Sequence, residues 1–316
     1  MTRGLVTVFG GSGFIGRYVV RKLARDGWQV RVAVRRPDQA LFLKPAGQVG
    51  QVTPVAANVR NDASVKAAVQ GADRVVNLVG ILFPAGPQRF DAVHVESAER
   101  VAAAATAAGV KALVHFSAIG ADHNADANYA RTKGEGEYAV RRGFPNATIF
   151  RPSIVFGPED GFFNRFAAMA LVSPALPLIG GGTTRFQPVY VVDVAEAVVR
   201  ALEDPACAGK TFELGGPRIY SFRELMVLLL SEIGRKRLLV SLPFPLATLQ
   251  GALLQAIPFI HPPLTVDQVR LLKRDNVVGP QAFGFKELGI TPTAVEPILP
   301  TYLDRYLPEG YYSRVA

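Results

Sequence analysis

Cysteine and histidine are scarce in this chain of 316 residues. Cys207 is the only cysteine, so no disulfide can form within the chain, and the four histidines do not stand at the spacings of metal ligands. We therefore expect a reducing compartment and chemistry without a metal ion. The first strand-like run begins at Leu5, which leaves no room for the regions of a signal peptide before it, so we expect none.

Long uninterrupted apolar runs are also missing. The longest uncharged stretch, 238–260, contains Pro243, Pro245 and Pro258, which leave only 246–257 as an uninterrupted helix candidate. About 12 residues at roughly 1.5 Å each span about 18 Å, whereas the core of a bilayer is about 30 Å thick. The sequence therefore predicts no transmembrane helix.

Acidic residues are outnumbered by basic ones. The chain has 35 Lys and Arg against 26 Asp and Glu, a net charge of +9 at pH 7. This balance suits nucleic acid, an anionic membrane surface or a phosphorylated ligand. No basic patch interleaved with aromatic residues and no RNA- or DNA-binding motif is present, so we predict no nucleic-acid partner.

Short β-branched runs alternate with helical patterns from residue 5 to about 151, which predicts an α/β fold with a doubly wound parallel sheet. We predict strands at 5–9, 29–34, 51–56, 74–79, 112–117 and 148–151. We predict helices near 14–26, 63–70, 90–108 and 128–142. Gly27, Gly71 and Gly109 follow three of the helices, where glycine adopts a left-handed conformation without steric cost.

The regular alternation of strand and helix patterns becomes less clear after residue 151, and proline and glycine become frequent. We predict an NADP(H)-binding Rossmann domain over 1–160, with segments near 186–215 that return to the sheet. Residues 216–316 are predicted to form a smaller C-terminal α/β unit that encloses a substrate or docks on a partner.

A glycine-rich turn joins the first predicted strand to the first predicted helix. It reads Gly10-Gly11-Ser12-Gly13-Phe14-Ile15-Gly16. Glycines let the backbone turn tightly, approach a pyrophosphate without a Cβ and pack the helix against the strand. Free N–H groups and the positive end of the helix dipole then face the phosphates. Because the motif stands between a first strand and a first helix, it predicts dinucleotide binding rather than a merely structural turn.

The second predicted strand ends in Arg35 and Arg36. In dinucleotide-binding folds an acid at this place binds the ribose 2′-hydroxyl of NAD, and an arginine accommodates the 2′-phosphate of NADP. Guanidinium groups pair well with phosphate oxygens, so the two arginines predict NADPH as the cofactor. The alternative is a solvated strand end with two exposed arginines, and nearby Asp38 keeps it open.

A Ser/Tyr/Lys set follows the fifth strand. Ser117 closes that strand, and Tyr129 and Lys133 lie four residues apart on the next predicted helix, so they share a face. An ammonium group beside the phenol would lower the pKa of Tyr129 and make it a usable proton donor and acceptor. We therefore predict these three residues as a catalytic set for hydride-transfer chemistry.

Together these motifs resemble the short-chain dehydrogenase/reductase superfamily, extended or atypical branch, over nearly the whole chain. Further matches are 151–158 and 191–195. The resemblance implies that Asn58 and Val59 touch adenine. It also implies that the NADP(H) site is completed by residues after the later strands: Leu78, Val79, Gly80, Ser117, Lys133 and Pro152.

More specifically, the chain resembles the nucleotide-binding accessory subunits of respiratory complex I (NADH:ubiquinone oxidoreductase), in a form similar to that of α-proteobacteria. The matching segments are 7–10, 13–20, 158–160, 163–166, 187–194 and 242–246. This resemblance implies an NADPH that is held but not turned over, other complex I subunits as partners, and a peripheral position on the cytoplasmic side of a bacterial inner membrane. The alternative is an active NADP(H)-dependent reductase or epimerase-like enzyme acting on a small carbonyl or hydroxyl compound.

An apolar stripe is predicted on the helix candidate at 246–257. Leu246, Leu249, Leu253 and Ile257 share one side of the helix, and cations flank the stretch at 235–237, 270, 273 and 274. Such a stripe suits a membrane interface. The alternative is a lid helix that packs on its own domain.

Overall fold

The computed structural model describes residues 3–255, 264–308 and 310, which divide into two compact units. Unit 1 comprises the described residues of 1–152, 191–214 and 279–291; unit 2 comprises those of 153–190, 215–278 and 292–316. The first segment of unit 1 therefore ends at Pro152, whereas the predicted domain extended to residue 160. The segment 279–291 also belongs to unit 1, because Glu213 and Phe283 join it to the last strand of that unit by a backbone hydrogen bond of 2.8 Å.

Unit 1 contains a single sheet of seven strands, all paired in parallel. The strands are β1 (Leu5–Phe9), β2 (Gln29–Val34), β3 (Val52–Ala56), β4 (Arg74–Asn77), β5 (Ala112–Phe116), β6 (Thr148–Pro152) and β11 (Thr211–Leu214). The helices are α1 (Phe14–Arg25), α2 (Asp62–Val69), α3 (Ser97–Ala107), α4 (Asn128–Gly143) and α6 (Val191–Glu203).

The order of the strands confirms the predicted doubly wound parallel sheet. It runs β11-β6-β5-β4-β1-β2-β3, so the direction of winding reverses between β1 and β4. Val6, Val8 and Phe9 on β1 are fully buried, as expected for a parallel strand covered on both faces by helices. In folds of this kind, ligands bind outside the carboxyl ends of the strands where the order reverses.

The structure departs locally from the predicted helices. The predicted helix at 90–108 begins instead with a π-helical turn, Asp91–Glu96, before α3, and a 3₁₀ segment, Pro37–Ala46, follows β2. Gly27, Gly71 and Gly109 have φ values of +85°, +71° and +68°, which confirms their predicted left-handed conformation.

Unit 2 is built from short strands and helices around its own core. Its elements are β7 (Val155–Phe156), α5 (Phe163–Val172), β8 (Ala175–Ile179), β9 (Arg185–Phe186), β10 (Val189–Tyr190), β12 (Tyr220–Ser221), α7 (Phe222–Glu232), β13 (Leu238–Leu242), α8 (Phe244–Gln255), α9 (Val266–Leu271) and α10 (Pro300–Leu303). The strands pair only two by two: β7 with β10 and β8 with β13 in parallel, and β9 with β12 antiparallel. Aromatic and aliphatic side chains from α5, β8 and α7 fill the core, among them Phe163, Leu176 and Met226.

Helix α8 turns its predicted apolar stripe outward. Leu246, Leu249 and Leu253 are each more than half exposed, whereas Ala247 and Gly251 on the other side are buried. Ile257, the fourth predicted member of the stripe, lies outside the described residues. The stripe is therefore not the surface through which α8 packs. The helix packs within its own unit through Ala247 and Gly251 instead. Among the described helices, none combines the length and apolar character needed to cross a bilayer.

Substitutions on the exposed and the buried side of α8 should change the free energy of unfolding by different amounts. Leu249→Gln should change the free energy of unfolding by less than about 0.5 kcal/mol, because the side chain is exposed. Gly251→Val should lower it by about 1–3 kcal/mol, because a Cβ there would lie 3.1 Å from the backbone of Thr265 and Val266. Urea denaturation measures both; a larger loss from Leu249→Gln than from Gly251→Val would contradict this packing.

Candidate functional site

The residues predicted to bind a dinucleotide all belong to unit 1, and most of them lie at or just after the carboxyl ends of its parallel strands, while Lys133 lies on α4. The glycine turn follows β1, the arginine pair follows β2, and Ser117 follows β5. Parallel strands end at the same edge of a sheet, and neighbouring strands lie about 4.8 Å apart. Two strands, β1 and β4, separate β2 from β5, so the arginines and Ser117 lie roughly 14 Å apart across the sheet. An extended dinucleotide spans such a distance across the point where the strand order reverses.

The glycine turn is closely packed, and its glycines are required for different reasons. Gly10 has φ +77°, a conformation that other residues rarely adopt. A Cβ at Gly11 would lie 2.9 Å from the side chain of Val32, and one at Gly16 would lie 2.3 Å from the carbonyl oxygen of Gly10. The first turn of α1 thus crosses β1 at a distance that only glycine permits.

The beginning of α1 is free to bind an anion. Gly13 is the N-cap residue, no side chain caps the helix, and its first turn holds no acidic residue. The first N–H groups of a helix have no partner within the helix and carry a partial positive charge. Gly13 itself is exposed, and partly buried Ser12, Phe14 and Ile15 surround it. This turn fits a phosphate group.

Arg35 and Arg36 are exposed at the end of β2. In the part of the chain that the structure describes, neither guanidinium group forms a hydrogen bond or an ion pair. Val34, the residue before them, is buried in the sheet and holds the strand end in place. Both guanidinium groups thus remain available for an anionic ligand.

The loops after β3 and β4 are held by local hydrogen bonds. Asn58 Oδ1 accepts a hydrogen bond from the N–H of Arg60 at 3.1 Å, and Val59 packs against the core of the unit. The N–H of Leu78 donates to the carbonyl of Phe9, and the N–H of Val79 donates to Oδ1 of buried Asn77. The bond between Leu78 and Phe9 places the loop after β4 next to the glycine turn.

Ser117 has an unsatisfied buried hydroxyl. Its N–H donates to the carbonyl of Phe150 at 2.7 Å, but its Oγ has no hydrogen-bond partner among the described residues. A buried polar atom without a partner is costly in free energy and points to a ligand atom that completes it. Buried Pro152, on the neighbouring strand, accepts a hydrogen bond from the N–H of Ile119.

Lys133 lies beside Ser117 and Gly80. Its Nζ donates to the carbonyl of Phe116 at 3.0 Å, and a Cβ on Gly80 would lie only 3.2 Å from this Nζ. Burial lowers the pKa of Lys133 to about 8. The group therefore remains mostly protonated at pH 7 and offers further N–H donors toward the exposed side of Gly80.

Tyr129 lies near Lys133, with its ring centroid 6.0 Å from Nζ. Burial raises the pKa of Tyr129 to about 12, so the expected lowering by the ammonium group is not found in the isolated chain. At neutral pH the phenol is protonated, which suits a proton donor rather than a base.

His94 is a residue of this site that the sequence did not single out. Its ring contacts Tyr129 edge-on at 5.4 Å, its Nε2 accepts a hydrogen bond from the N–H of Ile81, and its Nδ1 lies 3.0 Å from Oγ1 of Thr132. His94 thus joins the loop after β4 to helix α4, which carries Tyr129 and Lys133. The sequence shows a lone histidine in a helical pattern, and no spacing rule links it to Tyr129, which lies 35 positions later.

Two buried histidines of the site stay neutral. Burial lowers the pKa of His94 to about 2 and that of His115 to about 3, and the charge of Lys133 contributes in both cases. Since Nε2 of His94 accepts from Ile81, the proton resides on Nδ1 and is donated to Thr132. One buried cation, two neutral imidazoles and an unsatisfied hydroxyl therefore lie close to the winding reversal.

The sequence model described as NAD dependent epimerase/dehydratase family matches residues 6–215. The chain belongs to this family. The match covers all of the strands and helices that carry the predicted site, and the glycine turn, the uncapped start of α1 and the unpaired Ser117 hydroxyl fit a nicotinamide dinucleotide.

Two relatives of this family member are similar over most of its length. NADH dehydrogenase (ubiquinone) 1 alpha subcomplex subunit 9, mitochondrial, from Arabidopsis thaliana is 36% identical and covers 97% of this chain and 79% of its own. Ceramide reductase from Caulobacter vibrioides is 32% identical and covers 80% of this chain and 78% of its own.

The fold is also found among solved structures. A nucleoside-diphosphate-sugar epimerase from Staphylococcus aureus superposes with a TM-score of 0.73 at 17% identity and covers 95% of this chain and 100% of its own. At this identity the similarity concerns the fold alone. It is consistent with the strand order found here.

Gly16→Ala should both destabilise the protein and weaken dinucleotide binding. The added methyl group would overlap the carbonyl of Gly10, so we expect a loss of about 1–3 kcal/mol in the free energy of unfolding and at least a tenfold loss of affinity for a reduced nicotinamide dinucleotide. Urea denaturation and the fluorescence of the bound dinucleotide measure the two effects. Gly161→Ala, where a Cβ meets nothing within 4 Å, is the control. Unchanged stability and affinity for Gly16→Ala would contradict the close crossing of α1 and β1.

The neutral histidines should make the protein sensitive to acid. Their folded-state pKa values of about 2 and about 3 lie below the unfolded value of about 6.5, so the unfolded chain takes up protons first as the pH falls. Stability is fully present above about pH 6.5 and is lost toward pH 3, by about 1.4 kcal/mol per pH unit for each histidine.

His94→Asn should lower the number of protons taken up on unfolding by about one. This number is measured as the slope of the free energy of unfolding against pH between pH 6 and 4.5. His123→Asn, which removes a histidine at an exposed position, is the control substitution. An unchanged slope for His94→Asn would show that His94 is not held neutral in the folded protein.

Proposed function

We propose that this chain is an NADPH-holding accessory subunit of respiratory complex I, bound peripherally at the membrane. The observation that carries the proposal is the 36% identity with a complex I subunit over 97% of the chain, which includes unit 2 as well as the family-matched region. Other complex I subunits are accordingly the proposed partners.

NADPH is the proposed form of the cofactor because of the two arginines after β2. Their guanidinium groups are exposed and have no acidic partner among the described residues. A 2′-phosphate would provide a negatively charged partner for them. In the proposed arrangement the pyrophosphate lies on Gly10–Gly16 and the adenine by Asn58 and Val59. The nicotinamide end lies near 78–80, Ser117, Lys133 and Pro152.

A structural role explains why a subunit would keep a cofactor that it does not turn over. A ligand present at a hundred times its dissociation constant stabilises the folded state by about 2.7 kcal/mol. The bound group would also satisfy the buried Ser117 hydroxyl and the uncapped N–H groups of α1. NADPH would thus stabilise unit 1 within a larger assembly.

Membrane association is proposed to use α8. Its three exposed leucines lie on a helix without any charged residue, and the cations at 270, 273 and 274, after the helix, suit an anionic surface. Each such cation contributes about 1 kcal/mol near an anionic leaflet. In a bacterial cell this would be the cytoplasmic side of the inner membrane.

An active reductase is the second candidate, favoured by the similarity to ceramide reductase. A bound NADPH would supply the hydride. The Ser117 hydroxyl would donate a hydrogen bond to the carbonyl oxygen of a substrate, and Tyr129, protonated at neutral pH, would transfer its proton to that oxygen. Lys133 would stabilise the resulting phenolate by its charge.

Arg35→Ala combined with Arg36→Ala should select against NADPH. Only NADPH carries the 2′-phosphate, so its dissociation constant should rise at least tenfold, about 1.4 kcal/mol, while that of NADH should change less than about threefold. Isothermal titration calorimetry on the purified chain measures both. Arg25→Ala, which removes an exposed guanidinium at the end of α1, is the control. Equal losses for NADPH and NADH would overturn the assignment of the 2′-phosphate.

Tyr129→Phe should separate the two functions. In the subunit, the variant should copurify with complex I polypeptides and NADPH in wild-type amounts, as identified by mass spectrometry, because the phenyl ring of the variant would still pack on His94. Tyr138→Phe, an exposed tyrosine of the same helix, is the matched control. Loss of a cellular activity with cofactor and assembly intact would favour the reductase instead. Recovery of the wild-type chain without any complex I polypeptide would contradict the subunit proposal.

A further inference from the structure

Strand β13 in unit 2 has an open edge. It pairs in parallel with β8, and β8 is its sole partner strand within 3–255, 264–308 and 310. The N–H of Leu238 donates to the carbonyl of Pro174, so Leu238, Val240 and Leu242 direct their backbone groups toward β8. In a parallel ladder the alternate residues, Leu239 and Ser241, direct theirs to the opposite edge. This edge offers two N–H and two C=O groups to another chain.

One face of β13 is apolar and bare. Leu238 is 70% exposed and Val240 is 50% exposed, whereas Leu239 on the other face packs against the core of unit 2. Val172, the last residue of α5, is largely exposed. It lies two residues before Pro174, whose carbonyl accepts the hydrogen bond from Leu238, and so extends the apolar surface. A flat apolar edge strand invites pairing with another strand, and soluble proteins normally protect such edges.

A cluster of cations precedes the open strand. Arg235, Lys236 and Arg237 form no ion pair with any acidic residue that the structure describes. Arg235 and Arg237 instead donate to the backbone carbonyls of Tyr306 and Ala170, which fixes both guanidinium groups beside the strand. The charge at this end of the edge therefore complements an acidic segment.

We propose that β13 binds an extended, acidic segment of a partner protein, which adds to its open edge as a third strand. A second backbone supplies the hydrogen bonds that Leu239 and Ser241 lack, alternate apolar side chains of the segment cover Leu238 and Val240, and its acidic residues pair with the cations of 235–237. A lipid surface would satisfy the charge and the apolar face but offers no matching row of N–H and C=O groups. The inference goes beyond the proposed function and does not depend on it, since a reductase could use the same edge.

Hydrogen exchange of the full chain, followed by NMR, tests the proposal. The probe is a capped synthetic peptide of alternating valine and glutamate. In a second peptide, lysine replaces glutamate. A third peptide has the sequence of the first, but N-methylation blocks the hydrogen bonds along one of its edges. In the free protein, the amides of Leu239 and Ser241 should exchange at least tenfold faster than those of Leu238 and Val240. The acidic peptide should slow the exchange of Leu239 and Ser241 at least tenfold, and each of the other two should bind at least tenfold more weakly.

Ser241→Pro provides the decisive variant. It removes an outward N–H and leaves every bond to β8 in place, so it should abolish binding of the acidic peptide without loss of thermal stability. Ser241→Thr keeps the N–H and is the matched control. Should Ser241→Pro unfold the protein, Lys236→Glu combined with Arg237→Gln gives the same test and should weaken binding at least tenfold.

Several outcomes would overturn the proposal. Slow exchange of Leu239 and Ser241 in the free protein would mean that the chain itself covers the edge. Protection that grows with protein concentration would assign the edge to a second copy of this chain. Equal protection by phosphatidylglycerol vesicles would assign it to a membrane, and equal binding of the acidic and basic peptides would remove the role of charge.

Discussion

The close crossing of α1 over β1 is the constraint on which the rest of unit 1 depends. Gly16 meets the carbonyl of Gly10 at a distance that excludes any Cβ, and Gly10 turns the chain with a positive φ. The crossing directs the uncapped N–H groups of α1 toward the place where the strand order reverses. The proposed phosphate site, the position of α1 and the packing at the centre of the sheet therefore all depend on this close approach. A change that relaxes the crossing acts on all three at once.

Burial, rather than the neighbouring charge, sets the protonation of the site. Lys133 lies near Tyr129, yet the pKa of the phenol rises to about 12, because the loss of water outweighs an ammonium group that is itself disfavoured there. His94 and His115 are neutral for the same reason. In the isolated chain, Tyr129 is thus protonated and Lys133 mostly protonated at neutral pH. A lowered Tyr129 pKa requires further favourable interactions with the phenolate, such as those a bound ligand and its polar surroundings contribute. Retention of the Ser/Tyr/Lys set is for this reason compatible with both proposed functions.

The sequence was a good guide where one local interaction decides the structure. The glycine turn, the strands of the sheet and the three glycines after helices each follow from short-range sterics or periodicity, and the structure has them. His94 was missed because its partners, Ile81 and Tyr129, lie in separate segments that only the folded sheet brings together. The return of 279–291 to unit 1 was missed for a similar reason, since it depends on edge pairing with Phe212 and Glu213. The two-stranded pairings of unit 2 also lack a pattern of regular length that would predict them.

The outward stripe of α8 shows how a correct pattern can lead to two opposite structures. Leu246, Leu249 and Leu253 lie on one side of the helix as the periodicity indicates, but periodicity does not say which side faces the protein. Small residues decide it: buried Ala247 and Gly251 allow α9 to approach more closely than leucines would. The leucines are then left exposed, as are Leu238 and Val240 on β13. These two surfaces require different covers, because a helix has satisfied its own backbone hydrogen bonds whereas an edge strand has not. An apolar medium is sufficient to cover the leucines of α8, whereas strand pairing along the edge of β13 requires another backbone.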